Sequence, residues 1–289
     1  MENAPRRTEL IVLSYQQIET IVQAKQAGDP QAVISPDLGL SMVEVQIDPK
    51  GIHFPAGRVL SWPDADKILN SKTGCFQLLE DGMQKIQAFS ETTGRAVSLM
   101  PTEGAPTMLL AGFPMHRIKD VNPLQDTRLK VRTLKPRGGL ALDTATGLGY
   151  TAIELAKRVD RVITIELDPA VVEVARLNPW SAELFLDPKI QRRIGDTYDE
   201  IEKLEDSSFD WILHDPPTFS LAGDLYSIDF YRELLRVLKS RGKIFHYVGD
   251  LASRSGHRVG EGVVRRLNEA GLIRVERSYD AFGIMACKR

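Results

Sequence analysis

The chemistry most legible in this chain lies in an apolar, strand-sized run that ends in a carboxylate, with two glycines beginning four residues later. It reads Leu140-Ala141-Leu142-Asp143-Thr144-Ala145-Thr146-Gly147-Leu148-Gly149-Tyr150. A strand, a glycine turn and a helix start offer unpaired backbone N–H groups, and glycine allows close approach to a polar ligand. Asp143 stands at the strand's end, where the positive amine of a ligand reaches it and a pyrophosphate is repelled. Gly147 to Ala152 also fits the dinucleotide pattern G-x-G-x-x-G/A, which is weak alone. A plain strand-to-helix turn is the bland alternative.

Four further carboxylates follow, three of them at strand ends. Glu166 ends the run Arg161-Val162-Ile163-Thr164-Ile165, nineteen residues after Gly147, where it can accept hydrogen bonds from both hydroxyls of a ribose. Asp168 precedes Pro169 and reads as a helix cap ahead of a ligand contact. Gly195-Asp196 ends a third strand; Asp196 either accepts from an adenine amine or is a solvated loop residue. The run Trp211-Ile212-Leu213-His214 then enters Asp215-Pro216-Pro217-Thr218-Phe219. Two prolines stiffen this loop and present carbonyls without competing donors. Asp215 can take a hydrogen bond or a proton from an attacking nucleophile, and Phe219 can cover a flat substrate or the arm of a cofactor. The bland reading is that Pro216 and Pro217 only stop the strand.

The histidines read as structural. His214 should face away from Asp215 on an alternating strand and could still lie near the rim of the site. His246 sits on the next strand, and His116 and His257 are the strongest exceptions to a structural role. No pair has metal-ligand spacing, so no metal is expected. The basic residues Arg117, Lys119, Arg128, Lys130, Arg132, Lys135 and Arg137 read as a solvated helix face. A track for RNA phosphates is the other reading, and no interleaved aromatics support it.

The elements that must position these residues change character near residue 121. Before it the pattern is mixed: a helix from Ser14 to Ala27, alternating Val43, Val45 and Ile47, a turn at Asp48-Pro49-Lys50-Gly51, a return strand at Ile52-His53-Phe54, a short helix over 65–70, and strands over 96–100 and 107–111. This predicts a small, mostly antiparallel α+β domain over 1–121. From 122 to 289 strands and helices alternate: a helix opened by Asn122-Pro123, then strand 140–146, helix 150–158, strand 161–167, helix 169–177, strand 190–195, helix 197–204, strand 209–214, helix 227–239, strand 243–248 and helix 259–270. Two closing strands, 273–279 and 282–287, meet at Asp280-Ala281. Such alternation predicts a parallel sheet covered on both faces, with one antiparallel hairpin at its end.

Composition sets the outer limits. The chain has 289 residues, 43% hydrophobic and 26% charged, with a net charge of -2, so the total charge carries no nucleic-acid footprint. The two cysteines, Cys75 and Cys287, make no disulfide framework. No apolar run is long enough for a membrane span, and the N-terminus has no signal-peptide core. The expectation is a reduced, cytoplasmic protein. Oligomeric state is open at this point.

In this combination and order, Asp143-x-x-x-Gly147-x-Gly149, Glu166, Asp196 and Asp215-Pro216-Pro217 resemble the class I S-adenosylmethionine-dependent methyltransferases over roughly 122–289. The whole chain is similar to a group of archaeal predicted methyltransferases with an extra N-terminal domain. The resemblance implies an α/β, Rossmann-like seven-stranded sheet with an antiparallel C-terminal hairpin. It implies S-adenosylmethionine as cofactor, with Asp143, Gly147 and Gly149 holding the methionine part and Thr144, Ala145, Thr146 and Tyr150 also among the cofactor-binding residues. Glu166 would lie at the ribose and Asp196 near the adenine, Leu167 would be a further cofactor-binding residue, and Asp215, Pro216, Pro217 and Phe219 would be at the transfer site. The accessory domain would select an acceptor, with RNA, protein and small molecules all open. Thr218 stands where amino-methylating members carry an aromatic, and no cysteine sits where cytosine C5-methylating members need one. The segment Asp224 to Leu235 resembles spermidine synthases, which transfer aminopropyl groups from decarboxylated S-adenosylmethionine, although their G-G-G-D-G loop is missing here. A binding module without catalysis is a further alternative.

Overall fold

The structure, a computed structural model, describes residues 10–289, the side chain of Ala56 excepted. The polar N-terminal stretch read from the sequence lies outside them. Two compact units emerge: one runs up to Leu124 and includes Ala170–Leu186, the other comprises Gln125–Pro169 and Asp187–Arg289. No helix among the described residues is long and apolar enough to cross a membrane.

The first unit opens with β1 (Ile11–Leu13) and α1 (Tyr15–Ala27). Ser14 and Gln17 form a reciprocal capping box at the start of α1, and Gly28 ends it with a left-handed φ of 80°. β2 (Gln31–Ile34), β3 (Val43–Asp48), β4 (Gly51–His53) and β5 (Val59–Leu60) form an antiparallel sheet in that order. α2 (Trp62–Leu69) begins three residues before the expected helix, because Ser61 caps it and Pro63 suits its first turn. β6 (Phe76–Leu79) and β7 (Gly82–Lys85) continue from β1 as a three-stranded sheet. β8 (Gln87–Ser90), β9 (Arg95–Thr102), β10 (Gly104–Leu110) and β11 (Phe113–Pro114) make a third antiparallel sheet. Ile18 and Ile21 of α1 and Ala65 and Ile68 of α2 pack with Val45, Ile52, Phe76 and Leu78 in one core.

α3 (Pro123–Leu134) leads to the second unit, whose seven strands alternate with helices as the sequence pattern requires. In chain order the elements from here on are β12 (Leu140–Asp143), α4 (Tyr150–Ala156), β13 (Arg161–Glu166), α5 (Pro169–Arg176), α6 (Ala182–Leu186), β14 (Ile190–Ile194), α7 (Thr197–Glu200), β15 (Phe209–His214), α8 (Ile228–Val237), β16 (Leu238–Tyr247), α9 (Arg254–Glu269), β17 (Ile273–Ser278) and β18 (Gly283–Cys287), of which α6 and all of α5 but Pro169 fall outside the second unit. The segment from Ala170 to Leu186 belongs to the first unit, where Trp180 Nε1 donates to the Leu38 carbonyl at 3.0 Å.

The sheet order is β14-β13-β12-β15-β16-β18-β17. Every pair is parallel from β14 to β16, and β18 runs antiparallel to both β16 and β17. The architecture is therefore the α/β, Rossmann-like seven-stranded sheet with an antiparallel final hairpin. Its parallel strands are buried on both faces: Leu142, Ile163, Ile212 and Ile244 lie side by side on one, and Ala141, Val162, Leu213 and Phe245 on the other. After β12 the chain first adds strands on one side, then returns to place β15 on the other. This reversal opens a crevice at the carboxyl ends of β12 and β15, where open α/β sheets take ligands.

Two boundaries differ from the sequence reading in ways that matter. β12 stops at Asp143 instead of 146, because Thr144 to Gly149 turn away as a loop. α8 ends at Val237, and Leu238 already pairs with Phe209 in the sheet. The β15–β16 register then jumps to Trp211 with Lys243, so residues 239–242 form a bulge that a helical pattern conceals.

Candidate active site

Asp143 ends β12 beside Leu213 of β15 and Thr164 of β13, and it is fully buried. Thr164 Oγ1 donates to it at 2.8 Å, and Thr151 Oγ1 lies 3.1 Å from both of its oxygens. Thr146 Oγ1 sits 2.6 Å from Thr164 Oγ1, so the hydroxyls form a chain into the carboxylate. Burial pushes the Asp143 carboxyl up to about 8, and the hydroxyl bonds offset this only in part. A buried carboxylate with hydroxyl partners is short of positive charge, which an ammonium would supply.

Gly147 and Gly149 hold left-handed φ values of 52° and 77° and turn the chain into α4. A Cβ on Gly147 would meet open space, so the loop presents bare backbone there. Glu166 at the end of β13 accepts from Gly147 N at 2.8 Å and from Asp168 N at 3.1 Å. Burial raises its carboxyl to about 7. Leu167 beside it is exposed, and Asp168 directly precedes the first residue of α5.

The loop residues between strand and glycines divide by role. Thr144 Oγ1 lies 2.7 Å from His214 Nδ1, and the Thr144 carbonyl accepts from Thr197 Oγ1 at 2.7 Å. Thr146 N donates to the Ile165 carbonyl at 2.9 Å. Both hydroxyls are thus committed inside the protein and stitch the loop to neighbouring strands. Ala145 is half-buried, and Tyr150 is buried in the first turn of α4. Asp196 is exposed at the end of β14 and caps α7, with Oδ1 accepting from Tyr198 N at 2.9 Å.

Asp215, the sequence candidate for the transfer site, stands in a buried cluster of charges. Its Oδ2 lies 2.6 Å from Lys130 Nζ of α3, and Lys130 is also 2.9 Å from Asp126 Oδ2, one helical turn earlier. The Lys130 side chain is only 2% exposed, against 19% for Asp215. Its ammonium stands 4.1 Å above the ring of Tyr247, at the end of β16. Burial works against the Lys130 cation, but Asp215 and Asp126 outweigh it and hold its pKa above the ordinary lysine value. Burial raises the Asp215 carboxyl, against the pull of Lys130. Asp215 Oδ1 has no hydrogen bond among the described residues. One oxygen of this carboxylate is locked and the other is open.

The sequence reading of Lys130 as part of a solvated face is corrected here. Arg128, Arg132, Lys135 and Arg137 are exposed, but Lys130 lies on the buried side of α3. The signal was in the spacing. Thr127, Val131 and Leu134 mark the inward stripe, Lys130 falls inside it, and Asp126 stands four residues before it.

Pro216 is buried and Pro217 half-buried, and Tyr226 OH donates to the Pro217 carbonyl at 3.1 Å. Phe219 is 51% exposed and meets Tyr226 edge-on, with ring centroids 5.5 Å apart. His214 is buried and does not reach a rim. The Leu225 carbonyl can only accept, so His214 Nε2, at 3.0 Å, carries the proton and Nδ1 accepts from Thr144. Burial lowers its pKa to about 3, so it is neutral. His214 therefore ties the glycine loop to the loop that follows Asp215.

One consequence concerns pH. Carboxyls raised by burial keep protons in the folded state that the unfolded chain has already released, from the ordinary carboxylate value up to about 7 for Glu166 and about 8 for Asp143. The unfolded state binds fewer protons in this window, so stability of the ligand-free protein falls as pH rises through it. Thermal melts at about pH 6 and about pH 8.5 should show the drop, and Asp143→Asn should flatten it. An equal drop in the variant would show that Asp143 is already ionised.

Residues 142–246 match the family model of a methyltransferase domain. An uncharacterized protein of Methanocaldococcus jannaschii is 44% identical over 237 residues, covering 81% of this chain and 80% of its own. A polyamine aminopropyltransferase of Aeropyrum pernix is 29% identical over 112 residues, 37% of this chain and 36% of that protein. A solved spermidine synthase in complex with the transition state analogue AdoDATO superposes with a TM-score of 0.59, at 21% identity, over 72% of this chain and 76% of its own. The spermidine synthase of Thermotoga maritima gives 0.56 at 20% identity, over 72% and 75%. At these identities the two structures speak for the fold alone.

Proposed function

Since the chain belongs to the class I S-adenosylmethionine-dependent methyltransferases, in one family with the Methanocaldococcus jannaschii protein, we propose that it transfers the cofactor's methyl group to an acceptor held at Asp215. The observation that carries this reading is the half-locked carboxylate. Asp215 follows β15 next to the crevice, with Oδ2 fixed on Lys130 and Oδ1 open.

The residues present fit the cofactor. Asp143 is a buried carboxylate in need of a cation, Glu166 is an acceptor at the end of the neighbouring strand, and Gly147 leaves bare backbone over open space. We assign the methionine amine to Asp143, the ribose hydroxyls to Glu166 and one face of the adenine to Leu167, with Asp196 beside it. Of the loop, Ala145 and Gly147 face the cofactor, while Thr144, Thr146, Gly149 and Tyr150 support it from within; Gly149 N donates to the Thr146 carbonyl at 2.7 Å and its carbonyl accepts from Ile153 N at 2.9 Å. When bound, S-adenosylmethionine supplies a sulfonium methyl that is already activated: the nucleophile's lone pair bonds to the methyl carbon as the carbon–sulfur pair stays on sulfur.

The protein's own part is alignment and proton handling. Asp215 Oδ1 accepts the hydrogen of the nucleophile and takes it as a proton when the new bond forms. Pro216 and Pro217, held by Tyr226, keep the carboxylate at its station. Phe219 covers the acceptor and keeps water away. The experiment is transfer of labelled methyl from S-adenosylmethionine into RNA, protein and small-molecule fractions of a cell extract, with Asp215→Asn as control. Label in one fraction, lost in the variant, supports the reading; no label with wild-type protein overturns it.

Aminopropyl transfer is the second reading, favoured by the curated aminopropyltransferases among the relatives. It differs in its donor. Decarboxylated S-adenosylmethionine should bind at least about tenfold more weakly than S-adenosylmethionine if methyl transfer is correct. Calorimetric titration of both donors decides, and tighter binding of the decarboxylated form would exchange the two readings.

A further inference from the structure

Lys130 is a full positive charge, almost wholly buried, at the point where the acceptor must come. It uses three features that a cationic acceptor would need. Asp215 gives one oxygen to it at 2.6 Å and Asp126 another at 2.9 Å. The Tyr247 ring, whose face could seat an alkylammonium, already lies 4.1 Å under the lysine ammonium.

We infer that Lys130 makes the acceptor subsite one for an electrically neutral nucleophile, an amide, an aromatic amine or a hydroxyl, and closes it to alkylammonium acceptors such as polyamines and lysine side chains. This deepens the proposed function and rests on its placement of the acceptor at Asp215.

An alkylamine is an ammonium at neutral pH, with an ordinary pKa of about 10. It would enter as a second cation against Lys130, away from most screening water, where like charges repel strongly. It must also lose its ammonium proton before it has a lone pair to offer. The carboxylates on hand are already shared with Lys130. A neutral N–H or O–H group meets neither obstacle. It enters uncharged and donates its hydrogen to Asp215 Oδ1. Its lone pair forms the bond to the methyl carbon, the old carbon–sulfur pair remains on sulfur, and the proton passes to Asp215. Positive charge develops on the acceptor as the new bond forms, where Asp215 faces it, and is discharged as the proton leaves. Lys130 keeps its charge throughout.

The test uses the full chain with the donor site filled by S-adenosylhomocysteine, titrated calorimetrically with putrescine and spermidine. Wild-type protein should show no saturable binding at millimolar polyamine. Lys130→Gln should gain binding by about tenfold or more, since the competing cation is gone and the Asp215 carboxylate is released from it. Lys130→Arg, which keeps the charge, should stay closed. If Lys130→Gln does not fold, the double variant Asp126→Asn with Lys130→Met takes its place. Saturable polyamine binding by wild-type protein overturns the inference, and so does a folded Lys130→Gln that gains none. Mass spectrometry of the labelled extract fraction is the second arm: the methyl should lie on an amide, aromatic amine or hydroxyl, and a methylated lysine or polyamine overturns the inference. Absence of any labelled product sinks the methyl-transfer reading instead, while the polyamine titration still decides this one.

Discussion

Asp215→Asn should lower methyl transfer by about 10²–10⁴-fold, the range over which a positioned acid–base group contributes, or about 3–5 kcal/mol of barrier. The asparagine side chain has nearly the same shape and keeps a carbonyl oxygen to accept from Lys130. It cannot take a proton. Lys130 retains Asp126 as an anionic partner 2.9 Å away, so the local fold survives. The proposed donor site comprises Asp143, Glu166 and the glycine loop, none of which is hydrogen-bonded to Asp215 among the described residues. Binding of S-adenosylmethionine should therefore change by no more than about twofold, well under 1 kcal/mol. Single-turnover transfer of labelled methyl, paired with calorimetric binding, reads both quantities. Transfer at the wild-type rate would remove Asp215 from the chemistry. Loss of binding together with transfer would make it part of the cofactor site.

Lys130→Met should be the most destabilising single change at the site. Lys130 and Asp126 are buried and Asp215 nearly so, and the lysine is what balances both carboxylates. Its removal takes the cation away from two neighbouring acidic groups that have little water around them. Breaking a buried pair from one side costs about 3–5 kcal/mol. At roughly 2–4 °C per kcal/mol for a domain of this size, the melting temperature should fall by roughly 10 °C. Asp126→Asn added to Lys130→Met removes one of the two acidic groups and should recover part of the loss. Thermal and urea unfolding of the three proteins checks this. A Lys130→Met protein that melts with the wild type would show that the lysine is solvated, as its place in a basic stretch first implies.

That lysine shows where local pattern stops being sufficient. By charge alone it belongs with Arg128, Arg132 and Lys135, all of which face solvent. Its partner Asp215 lies 85 residues away, and no local pattern connects a helix before the first sheet strand to the loop after the fourth. The same holds for the hydroxyls around Asp143. Thr151 and Thr164 look like ordinary helix and strand residues until β12 and β13 pair and bring them onto one carboxylate. Asp196, read from the sequence as an adenine contact or a solvated loop residue, is exposed and caps α7.

What the sequence by itself determined is the alternation of strands and helices after residue 122, the antiparallel closing hairpin, the glycine turn and the ranks of Asp143, Glu166 and Asp215 at strand ends. These follow from local rules, since apolar periodicity, caps and turn residues act over a few positions. Only the tertiary structure decided which side chains face the crevice and which hold it together. Thr144 and Thr146 turned out to be internal stitching, His214 a neutral tie between two loops, and Lys130 the charge that governs Asp215. The physical reason is that burial and pairing of polar groups depend on strand order and on helix rotation. Those are set by the packing of the whole sheet, and no short stretch of chain encodes them.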